Sequence, residues 1–217
     1  MPRQARIDAT GALHHVICRG IERKRIFMDD ADLDHFVERL GSVLLKSSTA
    51  CFAWALLPNH FHLLLRTGRE PIATVMRRLL TGYAVYFNRR HNRHGHLFPN
   101  RYKSILCQED PYLFELVRYI HLNPLRARLV TDIEGLEHYP YSGHSRLIGK
   151  YASDWQDTKT VLSLFSEKVR TARCLYREYV KKGLSIGKRK ELTGGGLLRS
   201  TDGWEVLKDM RQVGYAL

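Results

Sequence analysis

The sequence predicts an α+β protein built on a four-stranded antiparallel sheet. Helices cover one face, a further helix lies near the other, and a small helical C-terminal extension follows. Three observations carry this. Short β-branched or wholly apolar runs alternate with longer stretches whose apolar residues recur every three or four positions. These patterns succeed one another as β-α-β-β-α-β-α. The composition, 44% hydrophobic and 26% charged over 217 residues, is that of a folded chain long enough for one domain and an appendage.

Residues 14–19 (HHVICR) form the first strand, and Gly20 opens the loop GIERKRIFMDD. Asp29 or Asp30 can cap a helix whose apolar positions are Leu33, Phe36, Val37, Leu40 and Leu44. Residues 50–57 (ACFAWALL) read as a buried strand. The turn signal Pro58-Asn59 joins it to a partner, 60–66 (HFHLLLR). Pro71 sits in the first turn of a second helix, with Ile72, Val75, Met76, Leu79, Leu80, Tyr83 and Phe87 on one stripe and Gly82 as a weak point. HNRHGHLFPNR reads as loop, residues 104–108 (SILCQ) as the fourth strand, and Asp110-Pro111 as the start of a third helix bearing Leu113, Leu116, Val117 and Ile120. The first six elements match a ferredoxin-like split β-α-β arrangement.

The pattern changes near Gly149, which divides the chain into a first unit at 1–149, the one expected to carry any catalytic site, and a basic helical extension at 150–217. Residues 158–182 read as helical, with Leu175, Tyr179 and Val180 on a narrow apolar stripe that docks the helix on the catalytic unit. The stretch KRKELTGGGLLRS reads as a link, and 204–210 as a weak helix.

No stretch approaches the ~20 apolar residues needed to span a bilayer, and MPRQARIDATGALHH lacks a secretory signal's apolar core; a cytoplasmic location is the expectation. Cys18, Cys51, Cys107 and Cys174 lie far apart with no CxxC pair, which argues against a zinc knuckle or a disulfide framework. The first three read as buried hydrophobes. The formal net charge of +13 points to an anionic partner, most naturally nucleic acid. Residues 66–103 hold nine Lys/Arg against one acid, Glu70, with Tyr83, Tyr86, His91, His94, His96 and Tyr102 interleaved. Cations meet phosphates while aromatics stack on bases; the competing reading is a solvated basic face.

Two constellations could carry chemistry. In Pro58-Asn59-His60-Phe61-His62, the two histidines share a strand face and Phe61 points into the core. Two imidazoles at that spacing can chelate one divalent metal, and they sit on the face left open by the first two helices. In Tyr119-Ile120-His121-Leu122-Asn123-Pro124, Tyr119 and Asn123 lie four apart on one helical side. Tyr119 can then face the sheet while Leu116 and Ile120 are buried. Asn123 also reads as an N-cap for a helix PLRARLV begun by Pro124.

PNHFHLLL, a basic helix, RYKSILC and RYIHLNPLRARLV, in that order, resemble the HUH single-tyrosine transposases of the IS200/IS605 type, and among them the REP-associated tyrosine transposases. The resemblance runs from about His14 to about Tyr141. It implies Tyr119 as the nucleophile and His60, His62 and Asn123 as ligands of Mg²⁺ or Mn²⁺. Many members carry Gln at the last position; here the amide is kept on a shorter stem. It further implies a DNA-cleaving and DNA-joining enzyme acting on single-stranded or hairpin DNA of palindromic repeats through a 5′-phosphotyrosine. Arg19, Arg23, Lys24 and Arg25 after the first strand, and Arg101, Tyr102 and Lys103 before the fourth, are the expected DNA contacts. Monomer or homodimer stays open. The alternative from another class is a non-catalytic hairpin-binding protein on the same scaffold, which would have no need of His60, His62 and Tyr119 together.

Overall fold

The computed structural model describes residues 10–99, 102–107 and 111–185. The expectations for Arg101, for the link at 188–200 and for a helix at 204–210 fall outside them. The chain runs β1 (Leu13–Arg19), α1 (Asp30–Ser47), β2 (Ala50–Leu57), β3 (His60–Arg66), α2 (Ile72–Arg90), β4 (Lys103–Cys107), α3 (Pro111–His121), α4 (Asn123–Arg126), α5 (Ile133–His138), α6 (Gly143–Leu147), α7 (Thr158–Ser163) and α8 (Val169–Lys182). The strands lie in the order β2-β3-β1-β4, every pair antiparallel. This is the expected α+β sheet.

Both sheet faces are buried, which explains why β2 reads as continuously apolar rather than alternating. Trp54 and Leu56 enter the core under α1 and α2, while Phe52, Ala55 and Leu57 enter the core under α3. β3 divides likewise: Phe61, Leu63 and Leu65 point to the first core, Leu64 to the second. Strand parity therefore sends both of its histidines, His60 and His62, to the face toward α3.

Asp29 caps α1 by accepting the Asp32 N–H at 3.2 Å. The buried Asp32 carboxylate accepts from Arg90 and His91 at the end of α2, which ties the two helices together. Gly82 has a positive reason to be in α2. The Arg39 guanidinium of α1 lies across it and donates to the carbonyls of Arg78 and Leu79, and a Cβ at 82 would overlap that guanidinium.

In the second core α3 lies between the sheet and α8. Leu113, Leu116, Val117 and Ile120 are buried there, and so are Ala172, Tyr176, Tyr179 and Val180 of α8. Residues before and after position 149 thus fill one hydrophobic cluster. The helical pattern expected over 158–182 is interrupted at 164–168. Phe165 turns inward there, its ring centroid 5.2 Å from Phe114 and 5.7 Å from Tyr179. Tyr179 and Val180 of the expected stripe are buried and Leu175 packs partly buried beside them, while Tyr176, outside the expected stripe, is also fully buried. The short helices α5 and α6, capped by Asp132 and Ser142, lie below the length at which periodicity is readable. Their connections also cover the outer edge of β2: Leu56 N–H donates to the Tyr141 carbonyl and Asp157 N–H to the Cys51 carbonyl.

Cys18, Cys51 and Cys107 are buried as expected and Cys174 is exposed. Burial pushes the Cys107 thiol up to about 11 and that of Cys18 up to about 12, so both stay protonated and unreactive. Among the described residues no helix is long and apolar enough to cross a membrane.

Candidate active site

β1 and β3 are the central strands, and they pair with Ile17 opposite His62 and Arg19 opposite His60. His60 and His62 leave β3 on the face toward α3, with ring centroids 5.3 Å apart. His15 of β1 joins them. Its ring stacks on His62 at 5.3 Å, and its Nε2 lies 3.0 Å from His62 Nδ1. Tyr119, 8% exposed on α3, meets His62 and His15 edge-on at 5.9 and 6.0 Å. Arg19, His60, His62, Lys103, Tyr119, Asn123 and Arg126 all line one open cavity of about 560 Å³.

α3 ends at His121, and Leu122 rather than Asn123 occupies the cap position of α4. The N-cap expected at Asn123 is therefore not formed. Its Nδ2 instead donates back to the carbonyls of Tyr119 and Ile120, at 3.0 and 3.3 Å, sealing the end of α3. With the nitrogen so committed, Oδ1 is the lone-pair atom the side chain offers. His121 points away from the cavity into a buried cluster, where its Nδ1 lies 2.7 Å from Tyr176 Oη.

Burial sets the protonation states. It lowers His60 to about 4, helped by the nearby Arg19 charge. His62 is held well below the ordinary imidazole range by burial first and then by His15, His60 and Arg19. Both rings are neutral near pH 7, the form that ligates metals. Burial raises the Tyr119 phenol, while Arg126 and Arg19 pull the other way. The Arg126 guanidinium sits 5.4 Å above the Tyr119 ring. No group of three or more His, Cys, Asp or Glu suited to a metal occurs among the described residues. The candidate set is two neutral imidazoles and an amide oxygen, which leaves positions for phosphate oxygens and water around a hard divalent ion.

The expected DNA contacts are dispersed. Arg19 and Lys103 reach the cavity. Arg23, Lys24 and Arg25 are exposed on the loop after β1, where Lys24 pairs with Glu22 at 2.6 Å. Tyr102 packs into the core under α1 and α2. Several cations of the basic run hold the fold together: Arg66 lies over Phe52, Arg93 over Phe87, and Arg90 on Asp29 and Asp32. Two polar residues of the site escaped the sequence reading: Arg126, which lines the cavity, and His15, which is buried against His62. Arg126 had a signal, since 119, 123 and 126 keep a helical i, i+4, i+7 spacing. His15 had none until β1 was paired with β3.

The family model described as "Transposase IS200 like" matches residues 9–123, over half of the chain and all of β1 to α3. The chain belongs to the IS200-like transposase family. As a member it is a DNA transposase, and enzymes of this family are generally metal-dependent. No curated protein matches the chain. Among solved structures, a REP-associated tyrosine transposase bound to a REP hairpin aligns at 17% identity and a TM-score of 0.55, over 72% of this chain and 94% of that one. A putative transposase from Deinococcus radiodurans R1 aligns at 17% identity and a TM-score of 0.38, over 62% of this chain and 98% of that one. At such identity the first comparison speaks to the fold, which the IS200-like transposase described here shares.

Proposed function

We propose that this IS200-like transposase is of the REP-associated kind. In this reading it cleaves and rejoins single-stranded or hairpin DNA of short palindromic repeats, in the cytoplasm, through a covalent link to Tyr119. The observation that supports this best is the shared cavity. The Tyr119 ring lies within about 6 Å of the buried His62 ring and lines the same wall as His60, Asn123 and three cations.

Arg19, Lys103 and Arg126 draw the DNA backbone into the cavity and hold one phosphate beside Tyr119. His60, His62 and Asn123 would hold a divalent ion, Mg²⁺ or Mn²⁺, which when bound withdraws charge from that phosphate. A phenol with a raised pKa is a weak nucleophile, and Arg126 above the ring stabilises the phenolate as the proton leaves. The Tyr119 oxygen bonds to phosphorus, the P–O3′ bond breaks, and O3′ departs with the electron pair and is protonated to a 3′-OH. The 5′-phosphotyrosine keeps the phosphodiester bond energy, so a second 3′-OH can reseal the strand by the reverse step. Residues 1–149 carry this chemistry, α8 braces α3 from behind, and the basic extension at 150–217 adds to DNA affinity.

The test is a panel of hairpin oligonucleotides incubated with Mg²⁺ or Mn²⁺ and scored for covalent protein–DNA adducts. Tyr119→Phe removes only the phenolic oxygen, so adducts disappear while hairpin affinity stays within about twofold, near the noise of such measurements. Adducts that persist in the variant place the nucleophile elsewhere.

A further inference from the structure

We infer that Asn59 is a positioning residue that sets the tautomer of His60 and ties it to the basic loop after β1. The usefulness of that tautomer rests on the proposed role of His60 as a metal ligand; the tautomer itself does not. The Arg23 carbonyl can only accept a hydrogen bond. Asn59 Nδ2 donates to it at 3.1 Å. The opposite amide orientation would set two oxygens against each other, so the Arg23 carbonyl determines which way the Asn59 amide faces. Asn59 Oδ1 is thereby turned to His60 Nδ1, 2.7 Å away. An amide oxygen also only accepts, so Nδ1 must carry the proton. The lone pair of the neutral ring is then on Nε2. Free imidazole side chains favour the other tautomer, so a neighbour has to impose this one. Asn59 is that neighbour, in the role that outer-layer partners commonly play for metal-binding histidines.

The loop that supplies the Arg23 carbonyl is itself fastened to the β2–β3 turn. Gly20 N–H donates to the Asn59 carbonyl at 2.9 Å and Ile26 N–H to the Pro58 carbonyl at 2.8 Å. Glu22 and Arg23 hold left-handed backbone angles, φ 53° and 59°. Such angles cost non-glycine residues energy and persist where surroundings impose them. Gly20 is required at its position, because a Cβ would come within 2.3 Å of the Lys24 carbonyl oxygen. The carbonyl that orients Asn59 thus comes from a loop whose exposed residues are Arg23, Lys24 and Arg25, and strain in that loop is transmitted to His60 through one amide.

The experiment reads histidine tautomers directly, by two-bond ¹H–¹⁵N correlation spectra of the metal-free full-length protein near pH 7.5. The wild type is expected to show His60 protonated on Nδ1. Asn59→Ala is expected to return His60 toward the Nε2-protonated form. Asn59→Asp keeps an acceptor beside Nδ1 and is expected to leave the tautomer unchanged. The His15–His62 pair serves as an internal control for folding in both variants. Titration of Mn²⁺ by water-proton relaxation is expected to show at least tenfold weaker binding for Asn59→Ala and no such loss for Asn59→Asp, the range typical of outer-layer changes. The inference is overturned if His60 carries its proton on Nε2 in the wild type, or if Asn59→Ala leaves the tautomer as it was. If the tautomers behave as expected but Mn²⁺ does not perturb the His60 resonances in the wild type, Asn59 keeps its assignment and the metal reading fails instead.

Discussion

His60 and His62 are two residues apart on one strand, yet their surroundings differ enough to separate their variants. His60 lies at the half-buried mouth of the cavity with Asn59 as its partner. His62 is 3% exposed and shares a hydrogen bond with His15 beneath it. Both His60→Ala and His62→Ala are expected to abolish adduct formation, with poor rescue by added Mn²⁺. His62→Ala is also expected to lose about 1–3 kcal/mol of stability, because it leaves a void and removes the hydrogen bond to the buried His15 ring. His60→Ala should cost well under half of that. Urea unfolding of both variants beside adduct assays checks this, and equal stability losses would mean that His62 is not held as described. The His-x-His spacing was readable from sequence because strand parity is local. His15 was not, because its approach to His62 depends on a pairing between strands 47 residues apart.

At the scale of elements, α3 is the one that must not shift, since it carries Tyr119. α8 holds it on the side away from the cavity. Arg118 of α3 donates to both carboxylate oxygens of Glu115 at 2.7 Å and stacks over the Tyr179 ring at 4.2 Å. Tyr179 Oη donates to the same carboxylate at 2.8 Å. Glu115 and Arg118 are each 5% exposed, so uncovering one partner leaves a buried charge poorly compensated. Tyr179→Phe is expected to cost about 1.5–3 kcal/mol in urea unfolding, the range for a hydrogen bond to a charged group. Ending the chain after Gly149 removes Tyr176, Tyr179 and Val180 and bares the outer side of α3. That truncated protein is expected to melt at least 10 °C below the full chain. A melting temperature like that of the full chain would show that α8 is only an attachment. The stripe on α8 was legible, with Tyr179 and Val180 buried and Leu175 packed beside them; Tyr176 escaped it, because its burial comes from contacts with His121 and Phe165 outside the helix.

For the whole molecule, charge and pH set the limits of function. The basic run at 66–103 reads in the sequence as one DNA-binding face, but Arg66, Arg90 and Arg93 are committed to Phe52, the Asp29–Asp32 pair and Phe87. Hairpin binding is therefore expected to show a log–log salt slope near −4, from roughly five phosphate contacts. Replacing Arg19, Arg23, Arg25, Lys103 or Arg126 singly by Gln should flatten that slope by about 0.7–0.9. Arg90→Gln should leave the slope unchanged and lower stability. Filter-binding or fluorescence titrations over a salt series decide it, and a flat wild-type profile would reduce these charges to solubilising ones.

Protonation acts on the fold through buried neutral imidazoles. Burial lowers His144 to about 3, and His62 and His121 are lowered in the same direction for the same reason. The unfolded chain takes up protons on these rings near pH 6.5 while the folded chain does not. Stability is then complete above about pH 6.5 and is lost as the pH falls from there toward 3. Thermal melting between pH 4 and 8 is expected to be level at the alkaline end and to fall steadily below about 6.5. His144→Gln should make that fall shallower, and an unchanged acid profile in the variant would remove His144 from the account.

Local patterns in the chain were sufficient for the strands, for α1 to α3, and for two same-face pairs, His60 with His62 and Tyr119 with Asn123; joining the pairs into one site came from the family resemblance. Strand parity, helical spacing and caps act over a few residues, so they can be read without knowing the fold. The closure of these residues around one cavity depended on contacts distant in sequence: β1 beside β3, α3 pressed between the sheet and α8, Arg90 drawn onto Asp32 rather than left for DNA. Burial is a property of the packed whole. It decided which imidazoles stay neutral, which arginines hold the fold together, and that His15 stands behind His62.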